Sequence, residues 1–133
     1  MAEIKQFEEI EGWKKARELV SAIYSASSKG SFAKDFQLRD QIRTAAVSVM
    51  SNIAEGFERG GDKEFSQFLS LAKASCGEVR SHLYVALDQK YLSEMEFHSM
   101  ADQAIHTSKL ISGFMRYLRE SKLRGSKYLD IGV

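Results

Sequence analysis

Apolar residues recur along this chain at helical spacing, in four runs separated by short polar breaks. The first run, about Phe7 to Ser27, carries Ile10, Trp13, Ala16, Val20 and Ile23 on one stripe and stops in the polar loop around Gly30. The second, about Phe36 to Glu58, has Leu38, Ile42, Ala45, Ala46, Val49, Ile53 and Phe57 at the 3.6 period. Gly60-Gly61 supplies its stop, because glycine adopts the left-handed conformation that a helix end often needs. Asp62 is the expected N-cap of the third run, which reaches about Asp88 through Phe65, Phe68, Leu69, Ala72, Cys76, Val79, Leu83 and Leu87. The fourth opens with the sharpest local signal. Ser93 and Glu96 form a capping box, flanked by Leu92 and Phe97 in the positions of a hydrophobic staple. Its seam is read as Phe97, Ala101, Ala104, Ser108, Ile111, Met115 and Leu118, alternating steps of four and three.

Four amphipathic helices with short loops and no strand alternation predict an all-α, up-down-up-down antiparallel four-helix bundle over residues 1–120. Residues 121–133 are expected to form a flexible tail, ordered only against a partner. The chain contains no proline, which suits long uninterrupted helices. At 133 residues it is long enough for one domain and one core.

Charge changes the picture only locally. The net charge of +1 excludes strong whole-molecule attraction to nucleic acid or an anionic membrane. Between Lys109 and Lys127, however, six bases meet one acid, Glu120. With Lys14, Lys15 and Arg17 on the first helix, the bases Lys109, Arg116, Arg119, Lys122 and Arg124 make a candidate nucleic-acid-binding set. The alternative is that these bases solvate a helix end and complement its dipole. No aromatic-plus-basic platform for stacking single-stranded bases is legible. No apolar run approaches a membrane span, the amino terminus lacks the pattern of a signal peptide, and the one cysteine cannot pair within the chain. A cytoplasmic location is the expectation.

Catalytic chemistry finds little support. Glu94, His98, Asp102 and His106 share one face of the fourth helix at intervals of four, a spacing that could hold a metal. That face lies away from the apolar seam, so water is its expected neighbour. Cys76 lies on an apolar stripe and reads as a small hydrophobe. No phosphate-binding loop, dinucleotide fingerprint or nucleophile elbow is present. The expectation is a chain without catalytic residues, cofactor or metal.

One polar interruption remains: Asn52, Glu55 and Gly56 inside "SNIAEG". Asn52 falls at the border of the buried stripe, where an amide can fix register. Gly56, with Ala45, Ala46, Ser48, Ser51 and Ala54, keeps the helix thin for close backbone approach. Glu55 alone is a weak candidate for a general acid. Packing and register are the preferred reading of all three.

These residues also carry a resemblance. The stretch "QIRTAAVSVMSNIAEGFERGGDKEFSQFLSLAKASCGEV", Gln41 to Val79, resembles the signature of four-helix-bundle proteins encoded in intervening sequences of bacterial 23S ribosomal RNA genes. The opening "FEEIEGWKKARELVSAIY" is similar to that family's first helix. Met50 stands where the family usually has proline, and Thr44 where a second arginine is common. The resemblance implies a ring-like homopentamer, related to nucleic-acid-binding accessory proteins of diversity-generating retroelements. It carries a genomic location and no settled activity. The function expected is therefore a non-enzymatic, oligomeric protein associated with RNA, ribosomal RNA by that location. The alternative is a protein-interaction scaffold without nucleic-acid binding, with Leu71, Tyr84, Tyr91, Leu110 and Tyr117 available for contacts between subunits or with a protein partner.

Overall fold

Each of the four stripes becomes a helix. The computed structural model describes residues 4–123, with side chains through 121. It places α1 at Glu11–Ser27, α2 at Phe36–Glu58, α3 at Asp62–Asp88 and α4 at Glu94–Leu123. Consecutive helices pack against one another and α1 closes on α4, giving the up-down four-helix bundle. No helix of the described residues is long and apolar enough to cross a membrane.

The helix ends follow local chemistry. The Ser93–Glu96 box forms as expected: the Ser93 amide donates to Glu96 Oε1 at 2.8 Å, and the Glu96 amide donates to Ser93 Oγ at 3.1 Å. The bond from the Ser93 amide holds the Glu96 carboxyl below its ordinary range. Leu92 and Phe97 are buried beside it as a staple. Gly60 closes α2 with φ +83°, the conformation a side chain disfavours. Asp62 is not the N-cap of α3: Gly61 holds that position, and Asp62 is the first helical residue, with its charge at the positive end of the helix dipole. The helix that does have an aspartate cap is α2, where the Leu38 amide donates to Asp35 Oδ1 at 3.1 Å.

The same Asp35 closes one end of the bundle. Tyr91, in the α3–α4 connection, donates its hydroxyl to Asp35 Oδ2 at 2.9 Å and stacks on Phe32 of the α1–α2 connection at 5.3 Å. Tyr91 is thus half-buried and bonded within the chain, while Tyr117 is buried in the core and is not available for an outside contact.

Two stripes differ from the sequence reading. On α1 the buried line is Gly12, Ala16, Leu19, Ile23 and Ser27, with Trp13 and Val20 on its flank. A 3-10 turn at Phe7–Glu9 sets Phe7 edge-on against Trp13 at 5.3 Å, and only then does α1 begin. On α4 the column Phe97, Ala104, Ile111, Leu118 is buried as expected. Its companion is Met100, Thr107, Phe114 and Ser121, and not the column through Ser108 and Met115. The hydroxyls hide this column from a polarity reading. Thr107 donates to the Gln103 carbonyl at 2.8 Å and Ser121 to that of Leu118 at 3.2 Å, so each is satisfied by its own helix.

Candidate nucleic-acid interface

The expected basic residues differ in how their charges are answered. On α1, Lys14 pairs with Glu11 at 2.9 Å and Lys15 with Glu18 at 3.6 Å, so each charge is answered one turn away. Lys15 lines a groove between α1 and α4 with Asp102 and His106. Lys14 and Arg17 line a different one with Trp13, whose ring centre lies 5.9 Å from the Arg17 guanidinium. On α4, Lys109, Arg116 and Arg119 are all exposed. None of the three has an ion-pair partner among the described residues. Arg17 of α1 is likewise exposed and has no ion-pair partner among the described residues. The side chain of Lys122, and Arg124 altogether, lie outside the described residues.

The "SNIAEG" stretch lies on the edge of α2 that faces α3. Asn52 Nδ2 donates to the Ser48 carbonyl at 2.8 Å and to Ser48 Oγ at 2.9 Å. Ser48 Oγ in turn shares a hydrogen bond of 3.0 Å with Ser75 Oγ of α3. The register contact between helices is therefore made by Ser48 and Ser75, and Asn52 orients it from within α2. Four residues on, a Cβ added to Gly56 would stand 2.6 Å from Phe68 Cβ, closer than carbon atoms approach, and a tight 3.0 Å from the Phe65 ring. Glycine is required there by contact. Glu55 is exposed and pairs with Arg59 at 3.0 Å, while the Arg59 guanidinium lies 5.1 Å from the Phe68 ring centre.

The remaining polar candidates have structural settings. Cys76 is fully buried, and desolvation pushes its thiol up to about 12. Glu94, His98, Asp102 and His106 are exposed, and no cluster of metal-ligating side chains occurs among the described residues.

Sequence reasoning missed one arrangement. At the edge of α2 that faces α1, two arginines lie over aromatic rings: Arg39 at 4.8 Å from the Phe36 ring centre and Arg43 at 4.5 Å from that of Tyr24. The sequence reading anticipated neither pair. The Phe36–Arg39 pair had a local signal, an aromatic residue off the apolar stripe followed by arginine at i+3. Tyr24 and Arg43 are joined only by the fold.

The family model described as 23S rRNA-intervening sequence protein matches residues 8–113. Among solved structures, the chain is similar to a protein of unknown function from the S23 ribosomal protein family of Bacteroides thetaiotaomicron VPI-5482. The TM-score is 0.73 at 19% identity, over 79% of this chain and 95% of that one, a likeness of fold alone. No curated protein matches the chain.

Proposed function

The chain belongs to the 23S rRNA-intervening sequence protein family, and from that premise we propose that it is a non-enzymatic, cytoplasmic homo-oligomer that associates with RNA, ribosomal RNA being the foremost candidate. The observation that carries this reading is the trio Lys109, Arg116 and Arg119, exposed on α4 without carboxylate partners among the described residues. One copy supplies a modest field. A ring of five, the assembly the family resemblance suggests, repeats it and converts weak phosphate contacts into avidity.

A second reading, a protein-interaction scaffold, draws on exposed apolar side chains of α3: Leu71 and Tyr84 are each 54% exposed and Val85 is also open. Those side chains suit contacts between copies under the first reading and contacts with another protein under the second.

Size-exclusion light scattering at low salt, with absorbance followed at 260 and 280 nm, separates the two. RNA association predicts a mass near five times 15.0 kDa with bound nucleic acid that high salt removes. A clean oligomer that takes up no RNA supports the scaffold instead. The triple variant Lys109→Glu/Arg116→Glu/Arg119→Glu should lose RNA and keep its mass. Removing a single cation that meets phosphate should also flatten the salt dependence by roughly 0.7 in log–log slope for a single strand.

A further inference from the structure

We infer that the α1–α2 edge formed by Tyr24, Phe36, Arg39 and Arg43 is a stacking site for the bases of single-stranded RNA. The inference rests on the RNA reading above and assigns to it a site separate from the α4 cations.

Phe36 is 63% exposed at the first position of α2, and the Arg39 guanidinium covers one face of its ring. A ring so placed buries little within its own chain and offers its other face to a flat partner. The two arginines are held differently. Arg39 bonds Asp40 at 3.0 Å and the Ala33 carbonyl at 3.1 Å, so its plane is fixed while its charge is largely answered. Arg43 is fixed by neutral groups: Nε donates to Ser27 Oγ at 2.8 Å and Nη2 to Ser28 Oγ at 3.0 Å. Its guanidinium is oriented against Tyr24 with no carboxylate in ion-pair range among the described residues, so its charge is not answered by an acid.

Spacing and surroundings agree with that ligand. From Phe36 to Arg43 the helix rises roughly 10 Å at about 1.5 Å per residue. That accommodates about three stacked bases at roughly 3.4 Å each. Tyr24 and Arg43 themselves line an open groove of about 720 Å3 that runs along α2 past Thr44, Val47, Ser48 and Ser51, with Asp40 as the one acid in its lining. From Thr44 to Ala54 the sequence has no charged residue, so Asp40, paired with Arg39, is the one α2 carboxylate on the groove, and the hydroxyls can bond a phosphate backbone. Bases within a duplex are hidden in their own stack, so the site selects single strands.

Fluorescence anisotropy with a labelled ten-nucleotide oligouridine and a duplex of equal length tests this on the full chain. Phe36→Ala should weaken oligouridine binding about tenfold. Arg43→Lys, which keeps the charge but loses the plane, should weaken it several-fold, and neither change should alter duplex binding. If both variants bind oligouridine like the unsubstituted chain while the α4 triple variant does not, this inference is overturned and the RNA reading stands. If the unsubstituted chain binds neither probe, both fall. If Phe36→Ala lowers the mass of the oligomer and leaves binding per copy unchanged, the edge is a contact between copies and the inference is again overturned.

Discussion

The two edges of α2 use the same kinds of residue to opposite ends. Towards α3, the polar groups of Asn52, Ser48 and Ser75 are spent on one another, and Gly56 brings the backbones together until nothing else fits. Towards α1, Arg43 and Arg39 are oriented by serines, a carbonyl and aromatic rings, yet exposed ring face and unanswered charge are left over. A polar group whose capacity is exhausted inside the chain contributes to packing. One held in place with capacity to spare is available to a ligand. That difference in remaining capacity distinguishes the two edges better than polarity or burial does.

Substitutions can break this comparison. The largest effect should come from Gly56→Val, which forces a branched side chain against Phe68 and Phe65 and should cost about 3 kcal/mol, read as a lower urea midpoint. Asn52→Ala removes the amide that orients Ser48 and should cost about 1 kcal/mol by the same measurement, or weaken assembly. An Asn52→Ala protein that folds and assembles normally but loses only RNA binding would reverse the assignment of that edge. The smallest change is expected for Phe36→Ala, within about 0.5 kcal/mol of the parent, because the ring is mostly in water already. A large loss of stability there would move the open edge into the structural class.

The sequence makes one of these edges far more legible than the other. Gly56 and Asn52 stand out because a glycine and an amide interrupt an otherwise apolar helix, and the capping box at Ser93 announces α4 in the same local way. The α2 and α3 bounds follow from Gly60-Gly61 and the apolar period. What escaped was nonlocal or disguised. Tyr24 and Arg43 are brought together only when α1 folds back on α2. Thr107, Ser121, Ser27 and Ser75 occupy interior positions that their hydroxyls argue against, because each finds an acceptor or donor close by.

The buried thiol of Cys76 gives the bundle a clock. It adjoins Ser75 on the closed edge, it is the sole cysteine of the chain, and desolvation keeps it protonated and inert at neutral pH. An aromatic disulfide reagent can therefore report only on molecules in which α3 has swung away from its neighbours. When reclosing is faster than labelling, the colour develops in proportion to the open population, tenfold faster for each 1.4 kcal/mol or so of lost stability. The breathing of the closed edge can thus be timed in the native chain with no probe installed, with and without added oligouridine.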